Sequence, residues 1–360
     1  MNFPQNLLHK LHARERENNL RSLAVYKPDL IDLASNDYLA FSKLQLPELP
    51  LPHGSTGSRM ISGNHPVFAM LENDLLPNFH CCEAALFYNS GYTANLGLIS
   101  AIAQRGDCVI YDEYVHASIR DGIRLGFAQN YSFQHNNLDS LKQKLVLAKG
   151  TIYVVIESVY SMGGDLAPLK EIIELCREFG AFLIVDEAHA LGVYDNGLCV
   201  DLKVENEVFA RVFTYGKAMG GHGASVCGSA LLKEYLLNFS RAFIYTTASP
   251  PSEIGRLIQL IHYYQSPAGA KQKQLLRSII NEYRAFADLF GFKSTETAIQ
   301  FIETGSNDSA IALEQKLMQS GYFVKAIKSP TVEKGKEGVR ITLHAGLPNG
   351  MWTRFFEILK

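Results

Sequence analysis

The sequence predicts an α/β protein built on a mainly parallel sheet covered by helices, with a smaller C-terminal α+β region. Three observations lead there. Short, nearly continuous apolar runs recur at 84–90, 108–112, 151–158, 181–187, 211–216 and 225–232. Helical patterns separate several of them, at 93–104, 137–150 and 168–180. Beyond residue 252 the pattern changes to long helices such as 271–291, interleaved with strand candidates at 299–304, 322–327 and 338–343.

Residues 5–20 mix leucines with charges and read as an amphipathic helix. The runs that follow are apolar at nearly every position, which fits strands buried on both faces of a parallel sheet. The helix expected at 168–180 opens on Pro168 and closes on Gly180, a normal start and stop. Ligands of such sheets collect beyond the carboxyl ends of the strands. Ser90-Gly91, Asp112, Glu157, Asp186 and Thr214 to Lys217 all fall at such ends. The expected organisation is an N-terminal helix and arm (1–52), a large domain (53–252) and a small α+β domain (253–360).

Composition narrows the function. A net charge of −2 offers no basic surplus for nucleic acid. Six cysteines without a CxxC pair argue against a disulfide scaffold or a zinc ribbon and fit reduced thiols in a cytoplasm. No apolar run reaches the roughly 18 residues a membrane helix needs. The first residues carry no apolar signal-peptide core.

The stretch "FLIVDEAHALG" (182–192) contains Asp186-Glu187-Ala188-His189, which spells a helicase motif. A helicase also needs an upstream G-x-x-x-x-G-K-[ST] loop. Lys217 follows a glycine but lies downstream of Asp186, with no Ser or Thr after it. His116, His189 and His222 with Asp186 show no HExxH or other helical metal spacing, so no metal is expected. "GSTGSRMISGNH" (54–65) and "GKAMGGHG" (216–223) do not give a dinucleotide G-x-G-x-x-G.

Pyridoxal 5'-phosphate fits better. It needs a lysine for covalent attachment, an acid opposite its pyridine nitrogen, and hydroxyls with a helix N-terminus for its phosphate. Asp186 ends one strand, Thr214 and Lys217 follow the next, and Ser90-Gly91-Tyr92 opens a helix.

The ordered motifs "SNDYLA" (35–40), "GSTGSRMISGNHPVF" (54–68), "ALFYNSGYTANLG" (85–97), "YDEYVHASIRDG" (111–122), "ESVYSMGGDLAPL" (157–169), "VDEAHALG" (185–192), "TYGKAMGGHGA" (214–224), "IYTTASPP" (244–251) and "SPTVEKGKEGVRITL" (329–343) carry a resemblance. On them the chain resembles the α-oxoamine synthases, a family of fold-type I pyridoxal-phosphate transferases.

That resemblance implies that Lys217 attaches the cofactor and then acts as the base at the substrate's α-carbon. It implies that Asp186 pairs with the pyridinium, that His189 reaches the phenolic oxygen, and that His116 stacks on the ring. Gly91, Tyr92 and Thr214 are expected near the phosphate, Ser161 beside the cofactor, and Glu157 in support behind it. Thr247, or Thr246, is expected to reach the phosphate of a partner subunit in a homodimer. Arg340 is expected to receive the amino acid's carboxylate with Asn36 nearby, and Thr331 and Arg21 to face the acyl substrate.

The implied reaction is decarboxylative condensation of an amino acid with an acyl-CoA or acyl-carrier-protein thioester to an α-amino ketone. "SNDYL" favours L-alanine with a pimeloyl thioester; "HASIRDG" and "SMGGDLAPLKEI" point to a glycine-using relative. An aminotransferase-like or non-catalytic cofactor-binding protein is the other class. Departures from the family pattern are a short segment after Arg21, Ala40 and Ala190 in place of glycines, "GLCVD" (197–201), and "RITLHAGLP" (340–348).

Overall fold

In the computed structural model, which describes residues 3–360 except 22, 24 and 26, the expected apolar runs become strands of one seven-stranded sheet. They are β1 (Ala84–Tyr88), β2 (Cys108–Asp112), β3 (Gln129–Phe133), β4 (Ile152–Glu157), β5 (Phe182–Asp186), β6 (Ala210–Thr214) and β7 (Ala224–Gly228). Their order is β1-β7-β6-β5-β4-β2-β3. All pairings from β3 through β6 are parallel. Strand β7 runs antiparallel to both β6 and β1. Residues 215–223 are too few for the dozen or so residues a parallel crossover requires.

Two details correct the sequence reading. Strand β3 was not expected. Its residues, QNYSF, are mostly exposed at the edge of the sheet and carry little apolar signal. The run at 225–232 is not one strand, because β7 ends at Gly228. The Ser229 hydroxyl then accepts from Leu232 N at 3.2 Å and caps the helix Ala230–Phe239.

Contacts divide the chain into two units. The larger comprises Asp37–Ser161 and Asp165–Leu275; the smaller comprises residues up to Asn36, Met162–Gly164 and Leu276–Lys360. The division points expected at 52 and 252 both fall inside the larger unit.

The smaller unit carries an antiparallel sheet of β8 (Ile299–Glu303), β9 (Lys325–Ile327) and β10 (Gly338–Thr342), in the order β9-β10-β8. The run at 322–327 divides between two partners. Tyr322–Phe323 pairs with Ile31–Asp32, whereas β9 pairs with β10. Tyr322, Val324 and Ala326 are all buried. Alternation therefore reports one continuous buried face but not the change of hydrogen-bonding partner.

The same unit holds an aromatic core. Trp352 is 1 % exposed, with its ring edge-on to Tyr283 at 5.0 Å and to Phe355 at 5.6 Å. Trp352→Ala is expected to destabilise the protein by about 3–5 kcal/mol, since the cavity cannot close around so large a loss. Urea denaturation of the two proteins measures it, and a difference below about 1 kcal/mol would show that the site collapses. No helix among the described residues is long and apolar enough to cross a membrane. All six cysteines are free thiols.

Candidate active site

The carboxyl ends of β4, β5 and β6 and the segments after them bring most of the expected cofactor residues together in the larger unit. Asp186 ends β5 and is 5 % exposed. One of its oxygens accepts from Ala188 N at 2.9 Å and the other from Asn95 Nδ2 at 2.7 Å. Asn95 Nδ2 also lies 3.1 Å from Ser118 Oγ, which in turn is 2.7 Å from His116 Nδ1. The chain from Asp186 to His116 is thus continuous: an acid and a ring are held in fixed relation by one amide and one hydroxyl. Asn95 and Ser118 were not singled out from the sequence, although both lie within its motifs.

Lys217 follows β6, and its Nζ lies 2.8 Å from His189 Nε2. The other nitrogen of that ring, Nδ1, lies 2.6 Å from the hydroxyl of Tyr38. Tyr38 is fully buried and stands in "SNDYLA", a further functional residue that sequence reasoning passed over. Glu187, between the two site residues, does something else. Its carboxylate accepts from Ser158 Oγ, Leu198 N and Cys199 N at 2.8–2.9 Å, so it ties the following loop to β4.

Glu157 sits beside Asp186, in register with it across β4 and β5. Burial, and then the neighbouring Asp186 charge, push its carboxyl up to about 8, with Lys217 opposing. One Glu157 oxygen accepts from Ser161 N at 3.1 Å. The His116 pKa lies below the ordinary histidine value, first through desolvation and then through Lys217, with Asp186 opposing.

Gly91 and Thr214, expected near the phosphate, converge in the same way. Ser90 caps the helix Gly91–Ile102 with a reciprocal Ser90–Thr93 pair. A Cβ built on Gly91 would meet Thr214 Cγ2 at 2.4 Å, so only glycine lets the helix start approach β6 this closely. The Thr214 hydroxyl is buried with no hydrogen-bond partner among the described residues. An unpaired buried hydroxyl beside a helix N-terminus suits an anion. Tyr92 is exposed, with its hydroxyl donating to Asp121. Thr247 is exposed too, and its carbonyl accepts from Asn89 Nδ2 at 2.7 Å.

Of the residues expected at the substrate, the smaller unit brings two together. Arg340, on the central strand β10, is 8 % exposed and donates to Thr342 Oγ1 and Asn36 Oδ1, both at 2.9 Å. Asn36 is brought there because the segment from Leu33 to Asn36 runs beside the end of β10, with Thr342 N donating to Leu33 O at 2.8 Å. His344, in the departing "RITLHAGLP", stands 2.9 Å from Asp32 O and holds the same segment. Thr331 and Arg21 are both exposed, in turn and coil respectively, and the structure assigns neither to this group. The short connection after Arg21 includes residues 22, 24 and 26, outside the described residues. Ala40, in place of a family glycine, keeps a left-handed backbone with φ of 57°, at a cost of about 1 kcal/mol.

The profile of the family "Aminotransferase class I and II" matches residues 28–359. The chain belongs to that family. Among curated relatives, the 8-amino-7-oxononanoate synthase of Emericella nidulans is 35 % identical over 92 % of this chain and 90 % of its own. The enzyme of that name from Marinobacter nauticus is 36 % identical over 88 % and 83 %. Serine palmitoyltransferase of Sphingomonas wittichii superposes with a TM-score of 0.86 at 27 % identity, covering 99 % of this chain and 96 % of its own. The 8-amino-7-oxononanoate synthase of Francisella tularensis does so at 0.78 and 26 %, covering 92 % and 97 %. Within the family the chain is an α-oxoamine synthase, a pyridoxal-phosphate-dependent acyltransferase of fold type I. The residues present fit that cofactor: a buried acid, a lysine, a vacant-handed threonine hydroxyl and a glycine approach.

The glycine gives a direct test. Gly91→Ala overpacks the contact with Thr214 at about 1–3 kcal/mol, so pyridoxal-phosphate affinity is expected to fall about tenfold. Adding Thr214→Ser removes the obstructing methyl and keeps the hydroxyl, and is expected to restore most of the loss. Titration of cofactor-depleted protein reads both; no rescue by the second change would mean that the Thr214 methyl is not the obstacle.

Proposed function

We propose that the protein is an 8-amino-7-oxononanoate synthase, joining L-alanine to a pimeloyl thioester with loss of carbon dioxide. The observation that carries this reading is the pairing of Lys217 with His189 one strand away from the buried Asp186, in a chain whose curated relatives bear that name. Pyridoxal phosphate, when bound, supplies an aldehyde that takes the substrate's amino group and a ring that draws electrons from its α-carbon.

The chain's own residues do the rest. Asp186, oriented by the donors Asn95 and Ala188, keeps a proton on the pyridine nitrogen. His189 orients its ring through Tyr38 and presents Nε2 toward Lys217. Lys217 Nζ takes the α-proton from the amino acid and later returns one to the product. Arg340 offers a planar fork to the substrate carboxylate. His116 would stack on the ring; Gly91, Tyr92 and Thr214 would hold the phosphate side; Ser161 would lie beside the cofactor, with its backbone N–H held by Glu157. Arg21 and Thr331 face the acyl chain.

The working form is a homodimer in which Thr247 of each chain reaches the other's phosphate. Met60, Ile61 and Tyr245, exposed at 52, 86 and 72 %, lie in the two segments joined by the Ser58–Thr247 bridge and support a covered surface there.

The test is product analysis by mass spectrometry. Purified protein with pyridoxal phosphate is given L-alanine, glycine or L-serine, each with pimeloyl-CoA, pimeloyl carrier protein or acetyl-CoA. The reading expects 8-amino-7-oxononanoate from alanine and a pimeloyl thioester, with stoichiometric thiol release. Amino ketone formation from glycine and acetyl-CoA instead would overturn the substrate assignment and leave the reaction class standing.

A further inference from the structure

We infer that His135, charged and gripped between Asp112 and Asp165, is a positioning residue for the 158–166 loop that presents Ser161 to the cofactor. This inference rests on the proposed place of Ser161 in the pyridoxal-phosphate site. His135 appears in none of the motifs that pointed to that site.

The geometry fixes its charge state. His135 Nδ1 lies 3.0 and 3.1 Å from the two oxygens of Asp112, and Nε2 lies 2.7 Å from Asp165 Oδ2. A neutral imidazole carries a single N–H and cannot donate at both nitrogens, whereas ionised carboxylates only accept. Both contacts are satisfied together by the imidazolium. The ring is fixed on its flanks as well: Tyr114 stacks on it at 4.4 Å, and Tyr160 meets it edge-on at 4.4 Å.

What the ring grips is the loop. Asp165 closes a narrow hairpin in which Tyr160 N donates to Asp165 O at 2.9 Å and Ala167 N to Ser158 O at 3.1 Å. Val159 and Leu166 form a bridge across it. Asn136, next to His135, adds two bonds from its side chain, to Asp165 Oδ2 at 3.0 Å and Leu166 O at 2.9 Å. Between these ends stands Ser161, whose N–H donates to Glu157 at 3.1 Å. At the other end of the clamp, Asp112 is wholly buried at the end of β2 and also accepts from Tyr114 N and Asn136 N. The clamp therefore ties the loop to the carboxyl ends of β2 and β3.

The charge has a pH window. Burial works against the imidazolium, but the bonds to Asp112 and Asp165 outweigh it and carry its pKa up to about 9. A raised histidine pKa means that the stabilisation is complete below the ordinary value and is lost as pH rises through about 9. The titratable groups around the ring are Asp112 at the end of β2, Glu113 and Tyr114 just after it, and Tyr160 and Asp165 in the loop. Burial, with Asp112 next, holds the Tyr160 phenol well above its ordinary value, so it stays protonated through this window.

The experiment measures the pyridoxal-phosphate dissociation constant of the full chain from about pH 7 to about pH 10, in wild type, His135→Gln, Asp165→Asn and the double variant. Wild type is expected to weaken as pH passes through about 9. His135→Gln is expected to bind about tenfold more weakly near neutrality, as loss of an outer partner does at metal sites, and to lack that step. The double variant is expected to be no weaker than His135→Gln, because both changes open one clamp. Asp165→Asn alone carries the same test if His135→Gln does not fold, since Asp165 is partly exposed. Variants that match wild type in affinity and pH profile would overturn the clamp and leave the cofactor site intact. Losses that simply add, with the step near pH 9 retained in His135→Gln, would reduce His135 to a fold residue and overturn it too. A wild-type protein that binds no pyridoxal phosphate would overturn the site and the clamp together.

Discussion

Lys217→Ala is expected to abolish turnover, with thiol release from the acyl thioester falling by about 10⁴-fold or more. Two losses combine. On the proposed assignment, the amino group that attaches the cofactor is gone, and so is the base that moves the α-proton. The variant keeps Asp186 with both of its hydrogen-bond donors, because neither Ala188 nor Asn95 depends on the lysine. It should therefore still bind pyridoxal phosphate, but without covalent retention. Borohydride treatment followed by dialysis separates the cases: wild type retains the label and the variant releases it. A variant that retained label on another residue, or turned over at more than about a hundredth of the wild-type rate, would remove Lys217 from its role.

Arg340→Lys is expected to cost about 10–100-fold in kcat/KM for the amino acid, mostly through KM. Arg340 donates to Thr342 and Asn36, and a planar guanidinium matches the fork of a carboxylate. A lysine ammonium is a single charged point and cannot hold both neighbours and the substrate in one plane. The same change is expected to leave pyridoxal-phosphate binding unaltered, since the proposed cofactor residues belong to the larger unit. Initial rates against alanine concentration at saturating thioester give the split. An unchanged KM would show that the substrate carboxylate is received elsewhere, and Arg340 would then be a residue of the β10 core.

Much of the site could be read in the chain because its residues sit where strands end. Asp186, Glu157 and Thr214 close apolar runs, and a polar residue terminating such a run is visible without coordinates. Tyr38, Asn95, Ser118 and His135 escaped for the opposite reason. Each is an ordinary residue in a loop or helix, and its importance lies in a partner 23 or more positions away, such as His189 for Tyr38 and Asp186 for Asn95. The edge strand β3 escaped because its exposed face carries no burial pattern.

Local chemistry alone thus settled the α/β class, most strand positions and the helices near 5–16, 91–102, 138–147, 169–179 and 267–290, while the motif residues came from the resemblance to the family. Burial leaves its mark on each stretch of sequence separately, so these features needed no knowledge of what lies opposite. The order of the strands, the antiparallel β7, the split at Val324 and the pairing of Lys217 with His189 came only from the tertiary structure. Each is a relation between segments far apart in the chain, decided by connection length and by which surfaces meet. That is also why Arg340 reads as a plain strand residue until the segment from Leu33 to Asn36 is laid beside the end of β10.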